Sequence, residues 1–202
     1  MENYRLEGKT FVIDDYDRLP AFSSFLPGLA GVKGIPMWTF YTNRGQGMNS
    51  FGIDNKGNAI MEFNSANTAF ENTTVKGFRT FLKIDGEYYE PFFKYEKEAK
   101  RQIRMNKNSF KIIETNEKYG IEVTVNYFIL PNESIGALVR QVSVKNISDS
   151  AKDLANSAVT LPASINTALS PASRIISIRL AQSSIVIGMC RFAIRSAISR
   201  VA

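Results

Sequence analysis

Apolar and polar residues alternate with a period of two along much of the first 154 residues. Between residues 121 and 129 every second residue is apolar, which is typical of a strand with one buried face. Turn-forming residues at 131–134 precede a second run at 137–144, so the pattern predicts an antiparallel hairpin. The two faces of the second run are Ala137, Val139, Gln141 and Ser143, and Leu138, Arg140, Val142 and Val144.

Further strand signals recur at regular spacing. Residues 37–42 are rich in aromatic and β-branched side chains. Turns are predicted at 55–58 between residues 51–53 and 59–63, at Asp85-Gly86 between residues 75–84 and 87–93, and near Asn116 between residues 110–114 and 119–130. Short strands joined by such turns predict an all-β fold, an antiparallel β-sandwich with two sheets around one core.

Two stretches do not show this alternation. Residues 14–52 are rich in Gly and Pro, which predicts an irregular N-terminal segment. Its aromatic and leucine side chains argue against disorder, so we expect it to lie ordered against a large surface. Residues 94–104 are the one place where a helix is predicted, although their apolar face is poor.

The composition changes abruptly after Leu154. Every Asp, Glu and Lys precedes this residue, whereas residues 155–202 carry five Arg as their only charges and Phe192 as their only aromatic residue. We therefore predict a β-sandwich domain at residues 1–154 and an atypical tail rich in Ala, Ser, Ile and Arg at residues 155–202. One hypothesis for the tail is a frame-shifted reading of the gene. A family-like continuation in another frame downstream of codon 154 would support it, and its absence would reject it.

Charge and cysteine content limit the partners and the compartment. Residues 1–154 contain 20 Lys and Arg against 19 Asp and Glu, so this part is nearly neutral and lacks the basic footprint of a nucleic-acid binder. The apolar run at 175–198 is interrupted by Arg179 and Arg191, which disfavours a membrane span. The single cysteine, Cys190, and the absence of an N-terminal apolar run predict a cytoplasmic protein.

The residue types limit the chemistry. The chain has no His, which excludes Ser-His-Asp and Cys-His catalysis and any His-based metal site, and its one cysteine cannot build a thiolate zinc site. Neither a metal nor a cofactor is predicted. General acid–base catalysis would need carboxylates, Lys or Tyr. Asp14, Asp15 and Asp17 beside Arg18 are the candidates for cleaving a glycosidic bond. The simpler interpretation is that these carboxylates cap a strand end and pair with Arg18.

Two groups of side chains are candidates for binding sugars. Residues 42–47 combine amides with the Arg44 guanidinium, and such groups can bind sugar hydroxyls or phosphate oxygens, although a polar hairpin loop has the same composition. Aromatic rings could stack on sugars, although such rings more often fill a core or an interface. The aromatic candidates are Trp38, Phe40, Tyr41, Tyr88, Tyr89, Phe92 and Phe93.

Several long strings resemble a known family. Residues 11–31, 34–38, 43–47 and 137–146 are similar to the N-terminal domain of bacterial 1,2-β-oligoglucan phosphorylases. These enzymes belong to glycoside hydrolase family 94, the cellobiose phosphorylase-like group. The resemblance runs from about Tyr4 to Leu154 and implies a supersandwich-like N-terminal β-domain in a larger cytoplasmic enzyme. That enzyme would also contain a helical linker, an (α/α)6 barrel and a small C-terminal β-domain.

The resemblance also implies an activity for the parent enzyme. It would be a homodimer that phosphorolyses β-1,2-glucan oligosaccharides with inversion, using inorganic phosphate as co-substrate and an acidic residue of the barrel as proton donor. This sequence has no segment that predicts the barrel, so no catalytic residue is carried over, and we expect an inactive fragment. Arg44 and Gln46 are the residues expected near substrate, phosphate or the partner subunit.

Two other functions stay open. One alternative is a free-standing carbohydrate-binding β-sandwich module, which saturable binding of sophorose-type oligosaccharides would favour. The other is a self-sufficient hydrolase that uses Asp14 and Asp15. Glycosidase activity that vanishes in Asp15→Asn would favour the hydrolase.

Overall fold

The fold is all-β in the part of the chain that the structure describes. This structure is a computed structural model, and it describes residues 3–73, 75–94, 96–157, 173–180 and 183–190, with only the backbone described for residues 154–157, 173–180 and 183–190. The strands are β1 (Tyr4–Glu7), β2 (Thr10–Asp14), β3 (Ser23–Ala30), β4 (Ile35–Thr42), β5 (Met48–Ile53), β6 (Ala59–Met61), β7 (Phe81–Ile84), β8 (Glu87–Tyr89), β9 (Ala99–Met105), β10 (Ser109–Asn116), β11 (Ile121–Leu130), β12 (Gly136–Asn146), β13 (Leu154–Ser157), β14 (Ser173–Leu180) and β15 (Ser183–Cys190). The helices are α1 (Ala66–Asn72) and two 3-10 turns, Tyr16–Arg18 and Lys56–Asn58.

The strands form three antiparallel sheets. The large sheet has eight strands in the order β1-β2-β9-β10-β11-β12-β15-β14, and the second sheet has four in the order β3-β4-β5-β6. A small third sheet has the order β13-β7-β8. Every pairing between named strands is antiparallel. This architecture confirms the predicted antiparallel β-sandwich.

The predicted hairpins are present. In β11 and β12, residues pair from Ile121 with Asn146 to Leu130 with Ala137, and burial alternates strictly along β11. The Asp85-Gly86 turn joins β7 to β8, and both turn residues have positive φ, of 49° and 93°. The periodicity of the sequence therefore predicts these pairings because one face of each strand is buried in the core.

The core lies between the two larger sheets. From the large sheet it receives residues such as Ile103, Ile112 and Val125, which have no exposed surface. From the four-stranded sheet, Tyr41 stacks on Phe110 with ring centroids 4.3 Å apart. These contacts bury the apolar faces of both sheets, which is the main stabilising contribution to such a fold.

The segment expected to be irregular instead forms strands. Within residues 14–52 the chain builds β3, β4 and most of β5. Pro27 is tolerated because β3 is an edge strand of its sheet. Two of the glycines are required by close packing: a Cβ at Gly28 would lie 2.9 Å from Ile129 Cδ1, and one at Gly52 would lie 2.7 Å from Trp38 Cζ2. In this segment the two glycines therefore allow neighbouring side chains to pack closely against the backbone, and the proline lies on an edge strand.

The helix prediction at residues 94–104 is wrong, because Ala99–Met105 is strand β9. Ala99, Arg101 and Ile103 are buried and alternate with more exposed residues, which is strand periodicity. Arg101 is charged although its side chain faces inward. The alternation of apolar and polar residues is therefore not visible in the sequence of this strand. The described α-helix is α1, which the sequence analysis did not predict.

The strands after Leu154 extend the sheets. β13 pairs with β7, and β15 pairs with β12 from Gly136–Cys190 to Ser143–Ser183. The expectations for residues 158–172, 181–182 and 191–202 lie outside the described residues. Within the residues that are described, no helix has both the length and the apolar character needed to cross a membrane.

Candidate functional site

The loop that carries Arg44 and Gln46 turns into the protein. It joins β4 to β5, and two glycines in it have positive φ, 50° at Gly45 and 79° at Gly47. A Cβ on Gly47 would lie 2.6 Å from Phe110 Cζ, so only glycine fits there. The Tyr16 hydroxyl donates to the Gly45 carbonyl at 2.9 Å. The loop is therefore packed against the large sheet.

The Arg44 side chain binds main-chain carbonyls of its own chain. Its Nη2 donates to Leu19 O at 2.9 Å, and its Nη1 donates to Asn43 O at 2.8 Å. The guanidinium also lies over the Phe70 ring, 4.7 Å from the centroid, and desolvation by burial lowers the pKa of Arg44. These contacts fasten the turn after β2 and helix α1 to the loop.

Gln46 lies beside a buried arginine that the sequence analysis did not select. The Arg140 side chain is 1% exposed, and its Nη2 donates to Gln46 Oε1 and, at 2.5 Å, to Thr80 Oγ1. Its Nε donates to the Tyr127 hydroxyl at 3.2 Å, and Thr80 Oγ1 donates to Gln46 Oε1 at the same distance. All of these partners are neutral. The sequence does contain a signal that Arg140 is buried, because this residue lies between Leu138 and Val142 on the apolar face of β12.

Two donors of this cluster have no protein acceptor. They are Arg140 Nη1 and Gln46 Nε2, and both are buried. Among the described side chains, no carboxylate forms an ion pair with Arg140, although the other buried arginine, Arg101, has two such partners. The cluster of Gln46, Thr80, Tyr127 and Arg140, called the Arg140 cluster below, thus combines a positive charge with unused N–H groups.

The three aspartates proposed for glycosidic cleavage are built into the framework. Asp14 forms an ion pair with Arg5 and accepts from Gln102 Nε2 at 2.6 Å. Asp17 accepts from Arg101 Nη1 at 2.8 Å. Asp15 adopts a left-handed backbone with φ of 47°, and its N–H donates to Arg101 O at 2.7 Å. Asp14 and Asp17 thus pair with different arginines, an arrangement that holds β1, β2 and β9 together.

A second buried polar cluster surrounds Glu114, which has no exposed surface. Its Oε2 accepts from Arg101 Nε and from the Phe92 N–H, both at 2.7 Å. Its Oε1 accepts from the Tyr89 hydroxyl. Burial and the neighbouring Glu114 charge raise the pKa of Tyr89 far above its ordinary value, so this phenol remains protonated. Three donors of the same chain already hold this buried carboxylate, so it positions the strands around it.

The aromatic candidates divide between the core and the surface. Phe40, Tyr41, Tyr89 and Phe92 are buried, Trp38 and Phe93 are half-buried, and Tyr88 is exposed. Trp38 belongs to a cluster on the outer face of the four-stranded sheet, where its ring lies 5.7 Å from Phe63 and 6.3 Å from Phe25. Phe25 is 49% exposed, and Leu29 on the same strand is 62% exposed. We call Phe25, Leu29, Trp38 and Phe63 the outer aromatic face.

One open pocket of about 320 Å³ lies near the small sheet. Its lining mixes both charges with one ring: Ile84, Asp85, Glu87, Lys118, Tyr119 and Lys152. Lys152 Nζ and Asp85 Oδ2 are 3.2 Å apart, so part of this charge is paired internally. No group of three or more His, Cys, Asp or Glu in the described ranges is arranged to hold a metal ion.

No protein-family model matches the sequence. A search of curated proteins likewise finds no similar sequence. The likeness to phosphorylase N-terminal domains therefore remains a hypothesis that depends on the strings at residues 11–31, 34–38, 43–47 and 137–146.

Proposed function

We propose that the chain is a non-catalytic β-sandwich domain that supports the catalytic part of a β-1,2-glucan phosphorylase. The observation that carries this proposal is the outer aromatic face, in which Phe25 and Leu29 are exposed beside Trp38. Exposed apolar side chains beside a cluster of rings are typical of a contact with another domain. Phe25, Leu29 and Trp38 lie on β3 and β4, whose sequences overlap the strings that carry the family resemblance, and Phe63 follows β6.

The polar residues of the same strings support a framework role. Arg44 binds carbonyls of its own chain, and the Gln46 side-chain oxygen accepts from Arg140 and Thr80. The aspartates at the end of β2 hold neighbouring strands. These side chains form hydrogen bonds within the chain and so stabilise the sandwich. The sandwich in turn holds the outer aromatic face in place.

In the proposed parent reaction, the chemistry belongs to the partner domain. A phosphate oxygen attacks the anomeric carbon, the glucosidic C–O bond breaks, and an acid of the barrel protonates the departing oxygen. The products are α-glucose 1-phosphate and a glucan shortened by one unit. This chain would contribute no group to those steps and would stabilise the position of the barrel.

The test is to add this chain to the catalytic part of a 1,2-β-oligoglucan phosphorylase that lacks its own sandwich domain. We expect the chain alone to release no glucose 1-phosphate and the mixture to release more than the catalytic part alone. Trp38→Ala should weaken this effect, whereas Tyr88→Ala, an exposed tyrosine on another sheet, should not. Release by the purified chain alone, or no effect in the mixture, would overturn the proposal.

A carbohydrate-binding module is the second candidate, and the same exposed rings favour it. Trp38 and Phe25 present ring surfaces to solvent, and such rings stack on the apolar faces of sugars. The indole N–H of Trp38 is held by Asn55 O at 3.3 Å, which fixes the ring. Saturable quenching of tryptophan fluorescence by β-1,2-gluco-oligosaccharides, from the single tryptophan of the chain, would select this function over the supporting role.

A further inference from the structure

We propose that the Arg140 cluster binds one small monovalent anion of the halide class inside the sandwich core. The anion would lie between the Arg140 guanidinium and the Gln46 side-chain amide. The site is independent of the outer aromatic face and of any activity of a partner domain.

The first step of the argument is charge. Arg140 lies on the inner face of β12, opposite Tyr127 in register, and it is 1% exposed. Arginine keeps its proton at every physiological pH, so this side chain brings a full positive charge into the core. A buried charge without a counter-ion is strongly unfavourable. Its protein partners, Gln46, Thr80 and Tyr127, are all neutral.

The same molecule shows how a buried arginine is otherwise satisfied. Arg101, on β9, also lies in the interior, and it donates to two carboxylates, Glu114 and Asp17. The distances are 2.7 and 2.8 Å. Arg140 has a comparable environment but lacks the negative partner among the described residues. A bound anion would supply that charge.

The second step is the pair of unused donors. Arg140 Nη1 and Gln46 Nε2 are buried and have no protein acceptor. The two unused nitrogens belong to neighbouring groups, because Nη2 of the same guanidinium donates to Oε1 of the same amide. We place the anion where it would accept from both.

The third step is the class of ligand. The Phe78 ring and the Tyr127 ring each lie 5.9 Å from the Arg140 guanidinium carbon, so the surroundings are largely aromatic. Two unused donor groups cannot satisfy a divalent oxyanion, and among monovalent anions a halide needs the least space in a close-packed core. A water molecule could accept both bonds but would leave the charge uncompensated. A halide ion satisfies both requirements.

The experiment measures unfolding by urea in chloride, bromide or gluconate salts of sodium at constant ionic strength. Gluconate is too large for the core and is the reference anion. We expect the unfolding equilibrium constant to fall about tenfold for each tenfold rise in chloride or bromide above saturation, because one anion binds the folded state alone. Bromide soaked into crystals should give an anomalous peak beside Arg140 and Gln46.

Gln46→Glu provides the sharper variant, because it places a carboxylate beside the guanidinium. We expect this variant to lose the halide dependence, whereas Lys107→Gln, which removes an exposed cation, should retain it in full. If Gln46→Glu does not fold, Arg140→Met replaces it and should also abolish the dependence. Equal stability in all three salts, no bromide peak, or full halide dependence in Arg140→Met would overturn the proposal.

Discussion

Arg101 Nε and Glu114 Oε2 lie 2.7 Å apart in an ion pair whose side chains are 5% and 0% exposed. The two residues are direct neighbours across strands β9 and β10. The same guanidinium reaches Asp17, in the 3-10 turn that follows β2, at 2.8 Å. One side chain thus joins two neighbouring strands of the large sheet, β9 and β10, to the turn after β2.

Arg101→Met is expected to lower the free energy of unfolding by about 3–5 kcal/mol, because it leaves Glu114 charged and buried without its partner. Urea denaturation measures the loss. The matched control is Lys100→Met, one residue earlier on β9, whose ion pair with Glu117 is 77% and 63% exposed. We expect no measurable loss for the control, because an exposed ion pair contributes little to stability. Equal losses in the two variants would contradict the structural role of the buried pair.

Gly47→Ala is expected to destabilise the protein by about 2–4 kcal/mol, because the added methyl overlaps Phe110 and the backbone has a positive φ. Gly8→Ala is the control for the backbone effect alone, since Gly8 also has a positive φ but has open space around its Cβ position. A loss of about 1 kcal/mol is expected there. Thermal unfolding measures the loss of stability in both variants. If Gly47→Ala loses no more stability than Gly8→Ala, the loop can move away from Phe110.

Stability is expected to fall at alkaline pH. Burial raises the pKa of Tyr16 and of Tyr127 above their ordinary values, and both rings are fully buried. Their contribution is therefore fully present below the unfolded pKa of about 10 and is lost as the pH rises above it. For each tyrosine the loss should approach about 1.4 kcal/mol per pH unit between its unfolded and its folded pKa, and should stop above the folded pKa.

Denaturation between pH 8 and pH 11 measures this effect. Tyr16→Phe should make the decline shallower, even though it also removes the hydrogen bond to Gly45. Tyr88→Phe, at a tyrosine that is 77% exposed, serves as the control and should leave the slope unchanged. Identical slopes in all three proteins would show that Tyr16 ionises without unfolding.

The outer aromatic face is expected to drive association of the isolated protein. Light scattering of the purified chain should detect oligomers, and the double variant Phe25→Ser/Leu29→Ser should shift them toward monomer. Leu6→Ser, on β1 of the other sheet, removes a similarly exposed apolar side chain and should have little effect. A monodisperse monomer for the unmodified chain at high concentration would contradict this prediction.

The hairpins of the sandwich could be predicted because their burial alternates. In β11 every second side chain lies in the core, and no charged residue occupies an inward position. In β9 the inward position between Ala99 and Ile103 is Arg101, whose partner Glu114 lies on the next strand. A pattern based on hydrophobicity alone cannot detect that compensation, because the ion pair exists only after the strands meet.

The candidate site could be predicted only in part. Residues 42–47 are candidates because of their polar groups, and Arg44 and Gln46 do make several hydrogen bonds, but with partners in the same chain. Arg140 was placed on the correct strand face from periodicity alone, yet its meeting with Gln46 depends on how the two sheets stack. Ninety-four positions separate these residues, so no local pattern connects them.

The pairing of β12 with β15 also explains why the sheet can tolerate the abrupt change of composition after Leu154. Eight consecutive residue pairs join these strands, from Gly136–Cys190 to Ser143–Ser183. A ladder of this kind is formed by main-chain N–H and C=O groups, which every residue except proline provides alike. The edge of β12 can therefore pair with any extended segment of backbone. This pairing depends little on which side chains the added strand carries.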